Sequence, residues 1–367
     1  MTPTVDSCRK IARLLVDQKK ARVVVPPDAE GSGSWFGGGN LWTGSDGSLW
    51  LVGRYRNPGD SRTGVQAGTR GFALAAFRSE DHGRTFQLVW KRSKEAMAPD
   101  GETVLSIEGA AIWERDGMVE LLVSSEKSNR RYAPEVAPFQ KPGTGVWTVD
   151  RMVADSLEEL ANAPVDPLVS SPVPEICHVK DPFLYQSGDG TTWLGLCTHP
   201  FNWSSSNTII VPYYRQGLLP LSPLEPDACL RRGLTWDVAI TRLTAIVDLP
   251  VRSANGETRQ LVFYDGGECV RPLEPHAAAV TRPRGYSCEE LGGLGYLTGG
   301  DPTTFRRVSR WFPEFVSPHG TGCSRYVDVL ATDAYWYATW QQSQPDQSQP
   351  LVCHAVPTDE IYAALKM

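Results

Sequence analysis

Apolar runs too short for helices recur along the whole chain, each bounded by glycine- and aspartate-rich turns. The rhythm is strand, tight turn, strand. It appears first in residues 37–42, the Ser45-Asp46-Gly47-Ser48 turn and residues 49–54, and continues through 71–77 and 87–90. It returns in residues 107–113, the Asp116-Gly117 turn, 119–125, 145–149 and 166–169. A third copy runs through 178–185, the Gly188-Asp189-Gly190 turn, 191–196 and 208–212. A fourth takes in 236–242, 260–265, 277–280 and 295–297, and a fifth 322–329, 335–340 and 351–355. Helical spacing shows only at the ends. Ile11, Leu14 and Leu15 share one face within residues 5–19, and residues 359–366 read as one short helix.

Five repeats of this kind, each a small antiparallel sheet, predict an all-β, five-bladed β-propeller with short N- and C-terminal helices. The reading is a single domain over residues 1–367, with 1–21 as an N-terminal helical extension. The fifth copy shows only three good strands, so the early strand at 22–25 is expected to complete it and clasp the ring shut. Proline-rich stretches such as 218–226 read as loops. A pair of β-sandwiches is the rival architecture, and the repeat argues against it.

Composition narrows the function classes. Hydrophobic residues make up 41% and charged residues 21%, which is globular and not disordered. A net charge of −6 gives no electrostatic case for nucleic acid or an anionic membrane. The first twenty residues lack the apolar run of a signal peptide, and nothing approaches the length of a membrane span. The eight cysteines are scattered, without a C-x-x-C pair. They read as reduced core residues of a cytoplasmic protein, with a processed, disulfide-bonded secreted chain as the alternative.

Residues 79–86 fit S-x-D-x-G-x-T-F, and so resemble the Asp-box of sialidase-like propellers. The resemblance implies a hairpin turn between outer strands of a blade, a folding signature without a catalytic role.

In a propeller the first strand of every blade lines the central channel, so residues near the starts of those strands meet at one mouth. The polar residues there are Asn40, Glu108, Asp181, Asp237 and Arg325, one per predicted blade. Like charges held together repel, so three converging carboxylates point to acid–base chemistry or a bound cation.

Two segments resemble the five-bladed glycoside hydrolases of family 43. Residues 178–185 with Gly188-Asp189-Gly190 are similar to their DP-x-x-F…D-G-x-x-Y-L segment. Residues 108–113 with Asp116-Gly117 and 121–124 are similar to E-G-P-x-I…x-G-x-Y-Y-L-x-Y-S. The resemblance implies Glu108 as general acid and Asp181 as the residue that orients it and tunes its pKa. In the family the base Asp comes from the first blade, where this chain offers Asn40, so Asp237 on blade four is the best available base. Glu175 and Glu268 are in reserve, since Gly267-Glu268-Cys269 resembles the E-C acid/base of fructosidase-type propellers.

Around this core, Asn40, Arg54, His178, His199, Arg242, Glu268 and Arg325 are the candidate substrate-binding residues. Arg54, Arg56 and Arg62 are either solvated loop residues or, with Arg242 and Arg325, a bidentate clamp for a substrate carboxylate. His178, His199, His276 and His319 read individually as structural, and as a group could include a substrate contact or a metal ligand. Trp35, Phe36, Trp203 and Trp311 are either core or platforms on which sugars stack. No P-loop, Rossmann glycine pattern, G-x-S-x-G or H-E-x-x-H occurs, so no cofactor is expected. A structural cation such as calcium in the channel is left open. The resulting expectation is a glycosidase that cleaves a terminal sugar from an oligosaccharide, with a saccharide substrate, no nucleic-acid or membrane partner, and an oligomeric state left open. A non-catalytic sugar-binding propeller and a propeller lyase or phosphorylase are the rivals.

Overall fold

The computed structural model describes residues 5–57, 70–140, 144–202, 205–214, 217–218, 230–252, 258–268 and 290–366. They form five antiparallel sheets in a ring, a five-bladed propeller, flanked by helix α1 (Val5–Leu15) and helix α2 (Thr358–Lys366). Blade two shows the plan most plainly: Val104–Arg115 lines the channel, and Met118–Lys127, Val146–Ala154 and Asp166–Ser170 follow outward. Blade three runs from Lys180–Gln186 through Thr192–Thr198 and Asn207–Tyr214 to the short edge Gly217–Leu218.

Blade five begins with Ser324–Ala331, Tyr335–Gln342 and Leu351–Pro357, and its outer strand is Arg22–Val25 from the other end of the chain. The ring is thus closed by pairing the two ends, as the sequence suggests. Blade four departs from expectation. Its strands are Ile240–Arg252, Thr258–Gly267, Leu291–Thr298 and Asp301–Arg307, so residues 295–297 belong to the third strand and not the fourth. The predicted strand at 277–280 lies outside the described residues, as do Arg62, Trp203, Cys229, Cys269, His276, Cys288 and most of the 218–226 loop. The five described cysteines are all buried. No described helix is long and apolar enough to cross a membrane.

Residues 79–86 turn the chain between Ala73–Ser79 and Gln87–Ser93, the outer strands of blade one. Asp81 accepts hydrogen bonds from Ser79, from the Thr85 amide (2.8 Å) and from the Thr85 hydroxyl (2.6 Å), closing the hairpin far along the blade from the channel.

The apolar core is divided among the blade interfaces. One cluster joins blades one and two around Val52, Leu74, Ile107 and Leu121; another joins five and one around Phe36, Leu51 and Tyr337. The largest joins four and five, where Phe263, Phe315 and Trp340 also receive Ile11 and Leu15 of α1.

The innermost strands share one irregularity. Register slips between Ile107 and Ala110 in blade two, between Lys180 and Phe183 in three, between Leu243 and Ala245 in four and between Arg325 and Asp328 in five. Blade one has the same break as a gap, Gly38-Gly39-Asn40, between Trp35–Gly37 and Leu41–Thr43. A bulge leaves backbone groups unpaired and re-aims side chains. In this ring neighbouring blades supply the missing partners. The Asn40 amide mimics a peptide, accepting from Ile112 N–H (2.7 Å) and donating to Ile112 C=O (3.0 Å). Asp181 of blade three accepts from Gly109 N–H of blade two (2.9 Å). Thr244 donates to the Val327 carbonyl (2.6 Å), and Asp328 accepts from Leu41 N–H (2.8 Å), tying four to five and five to one.

Two predictions test this stitching. Asn40→Ala leaves the Ile112 peptide groups without partners, which should cost about 1–3 kcal/mol in urea denaturation; an unchanged midpoint would show that the clasp carries nothing. Burial pushes the Asp328 carboxyl from 3.8 up to about 7, against hydrogen bonds from the backbone at Leu41 and Val329. The pKa is higher in the folded chain, so Asp328's contribution is fully present below pH 3.8 and is lost as pH rises through 7. Asp328→Asn should therefore raise the melting temperature at pH 8 and leave it unchanged near pH 3.5. Equal melting temperatures at both values would contradict this placement of the charge.

Candidate active site

Four carboxylates meet at one end of the channel, Glu108 and Asp181 from bulges, Asp265 from the second strand of blade four and Glu290 from just before the third, and each meets a guanidinium group. Glu108 Oε2 accepts from Arg54 Nε (3.1 Å) and Nη2 (3.0 Å), while Arg54 Nη1 donates to the Gly37 carbonyl (3.0 Å). Gly38 sits at φ +74° under this guanidinium, where a Cβ would come within 2.6 Å of Nη1. Across the mouth, Arg242 donates through Nη2 to Asp265 Oδ2 (2.6 Å) and Glu290 Oε2 (2.6 Å), and through Nη1 to Asp181 Oδ2 (3.2 Å). Arg325 Nη1 donates to the same Glu290 oxygen (2.8 Å).

Tyr326 stands at the centre. Its hydroxyl donates to Asp181 Oδ1 (3.1 Å), its N–H donates to Asp265 (3.0 Å), and the Arg242 guanidinium lies 3.8 Å from its ring centroid. The Arg54 guanidinium lies 5.2 Å from the same ring. Asp181 and Tyr326 are both left-handed, at φ 48° and 52°. Strain of this kind persists only where the surroundings over-determine it, and here each residue is held by the other and by a neighbouring blade. Gly109 is required at the contact, because a Cβ there would lie 2.6 Å from Asp181 Oδ1.

Two of the four carboxylates can be reached from outside. The side chains of Glu108 and Glu290 keep 14% and 18% of their exposure, against 6% for Asp181 and none for Asp265. Burial alone would raise Glu108, but Arg54, Arg56, Lys180 and Arg70 outweigh it and hold the carboxyl at about 2. Glu290 is likewise held well below the carboxylate range, with Arg242 and Arg325 overcoming burial. Asp265 goes the other way, raised by burial with help from the Glu290 charge. Asn40, Gly109, Ala111, Asp181, Leu184 and Thr244 line a cavity that Arg242 and Tyr326 also border.

The structure separates other candidates from this group. Asp237 is fully buried and pairs with Arg307 (2.7 Å) and the Tyr264 hydroxyl (3.2 Å). Tyr264 precedes Asp265 on one strand, so the two point to opposite faces of blade four, and Asp237 lies on the face away from Arg242. The inner strand starts at Ile240, which leaves Asp237 in the preceding loop. Asn40 lines the channel, but its amide is spent on Ile112. Phe36 is fully buried core. His178 is buried against Tyr132 and His199, and burial lowers it to about 3, so its ring is neutral. Glu268 is exposed at the end of strand Thr258–Gly267. Glu175 lies in the short turn Pro174–Ile176, and Trp311 is 60% exposed in the loop after blade four. Among the described residues, no group of three or more His, Cys, Asp or Glu side chains is placed to hold a metal ion.

Three members of the mouth were not singled out from sequence: Asp265, Glu290 and Tyr326. Asp265 lies two residues before the end of the second strand of blade four and Glu290 immediately precedes the third, and in an antiparallel blade both places lie at the mouth.

The sequence matches no protein-family model and no curated protein sequence. Among solved structures, the chain is similar to α-L-arabinofuranosidase from Lactobacillus brevis, at 11% identity over 88% of this chain and 91% of that one, with a TM-score of 0.56. It is also similar to the GH43_1 enzyme from Xanthomonas citri complexed with xylose, at 12% identity over 95% of this chain and 93% of that one, with a TM-score of 0.50. At these identities the likeness is one of fold: this chain has the five-bladed architecture of family 43 glycoside hydrolases.

Proposed function

We propose that this chain hydrolyses a glycosidic bond at the propeller mouth, with Glu108 and Glu290 as the reacting pair. The observation that carries the reading is the two-layer arrangement of carboxylates. Glu108 and Glu290 come from different blades and keep partial exposure, while Asp181 and Asp265 lie buried behind them and fix the groups that hold them. Glycoside hydrolysis needs one carboxyl to protonate the leaving oxygen and one carboxylate to act on water or on the sugar. In the free mouth both reachable groups are ionised, which suits the carboxylate role at once.

The proton donor arises when a bound sugar covers Glu108 and competes for Arg54. Both changes act against the charge, and burial then lifts the carboxyl toward protonation. Asp181 is a positioning residue: it fixes Gly109 next to Glu108, the Tyr326 hydroxyl and Arg242. Asp237 has no part in this scheme.

A second reading is favoured by one observation, the locking of both reachable carboxylates in ion pairs, which would serve a saccharide-binding propeller without turnover. One assay separates the two. Wild-type protein is screened against chromogenic furanosides, pyranosides and uronides beside Glu108→Gln and Glu290→Gln. Each variant should lose about 10²–10⁴-fold in kcat, the range general acid–base groups supply, with an unchanged circular dichroism spectrum. Full activity in both variants would remove the pair from the reaction, and sugar binding without any cleavage would establish the second reading.

A further inference from the structure

Beside the reacting carboxylates lies a group of cations that the scheme above does not use. Trp35 opens the interrupted inner strand of blade one, and two guanidinium groups pack on its ring, Arg56 at 4.1 Å and Arg325 at 4.2 Å from the centroid. Both arginines are 7% exposed. Arg325 spends Nη1 on Glu290, but its Nε and Nη2 are buried and have no hydrogen-bond partner. Arg56 makes no ion pair among the described residues. Arg54 is taken by Glu108, and Arg70 pairs with Glu126. Trp35 cannot serve as a sugar platform while guanidinium groups occupy it; it holds the two cations in place.

We propose that Arg325 and Arg56 form a binding site for an oxyanion at the mouth, either the carboxylate of an acidic sugar or inorganic phosphate. This rests on the reading of the mouth as a saccharide site and gives that site its substrate class. A buried guanidinium edge without a partner is costly, and its planar fork matches the two oxygens of a carboxylate or phosphate. A neutral sugar hydroxyl could satisfy one N–H but would leave the surplus charge in place. That surplus is felt by Arg56, which is lowered to about 9 by burial, against the pull of Glu108, with Arg54, Arg325 and Arg70 adding to the fall. An anion on the free edge of Arg325, with Arg56 close by on Trp35, would supply the acceptors that Nε and Nη2 lack and compensate this crowding. The carboxylate of a uronide would place the sugar ring over Glu108 and Glu290. Phosphate would instead stand beside the sugar, where it could act on the anomeric carbon in place of water. The C1–O bond to the leaving sugar then breaks, a C1–O bond to phosphate forms, and the acid's proton goes to the departing oxygen.

The test is isothermal titration calorimetry of the full chain with methyl glucuronide, methyl xyloside and inorganic phosphate. The glucuronide, or phosphate, is expected to bind about tenfold or more tightly than the xyloside, with the advantage shrinking at about 0.5 M salt. Arg325→Gln and Arg56→Gln should each collapse that ratio toward one. Among the described residues Arg56 has no carboxylate partner to lose, so its variant keeps the test sharp if Arg325→Gln folds poorly. Preference for glucuronide identifies an acidic sugar, and phosphate binding with phosphate-dependent cleavage of a neutral glycoside identifies phosphate. Equal binding of glucuronide and xyloside, with no binding of phosphate, overturns the proposal. Binding is read without turnover, so anion binding with no cleavage would sink only the hydrolase reading, and cleavage without anion preference only this one.

Discussion

Every inner strand of this ring breaks its ladder near the mouth, and a broken ladder leaves peptide groups that need partners. In this chain the partners come from the next blade. Asn40 satisfies Ile112, Asp181 satisfies Gly109, Thr244 satisfies Val327, and Asp328 satisfies Leu41. Each bond is modest, but each one is made only when two blades sit in the right relation. The clasp between Arg22–Val25 and Leu351–Pro357 then fixes the last degree of freedom by joining the two ends of the chain.

The site follows from the same breaks. The bulges of blades two, three and five carry Glu108, Asp181 and Tyr326, and the change of register turns these side chains toward the channel. With Asp265 and Glu290 of blade four, Glu108 and Asp181 make four carboxylates in one place, which alone would repel one another and resist ionisation. Arg54, Arg242 and Arg325 reverse that. Arg242 alone bonds Asp181, Asp265 and Glu290, so it both neutralises the cluster and locks blades three and four together. Removing a single member of such a buried network leaves an uncompensated charge, which is why structure and chemistry cannot be separated at this mouth.

The repeat, the all-β class, the terminal helices and the closing strand were legible because strand runs and Asp-Gly turns are local signals. Glu108, Asp181 and Arg325 are legible as mouth residues because the start of an inner strand has a fixed place in a propeller, whereas Arg54 and Arg242 are legible only as candidates for a carboxylate clamp, and Arg54 lies on the second strand of blade one. Asp237 misled because the apolar run reads back through Trp236, whereas the strand begins at Ile240 and the residue turns toward Arg307. Glu290 was hidden by the glycine-rich stretch that follows it, Gly292-Gly293-Leu294-Gly295, which looks weak as a strand until Tyr264 and Phe305 are seen filling the space beside those glycines. The ionisation of Glu108 could not be read at all. It depends on Arg54, fifty-four residues away in sequence, and on Arg56, Arg70 and Lys180.

The most direct test of the account is the position of a bound sugar. A crystal of the wild-type chain soaked with a slowly cleaved thioglycoside of a uronic acid would show it. The account predicts the glycosidic sulfur between Glu108 and Glu290, the sugar carboxylate on Arg325 and Arg56, and the Arg54–Glu108 pair loosened. A sugar bound away from this mouth, with the Arg54–Glu108 pair unchanged, would contradict it.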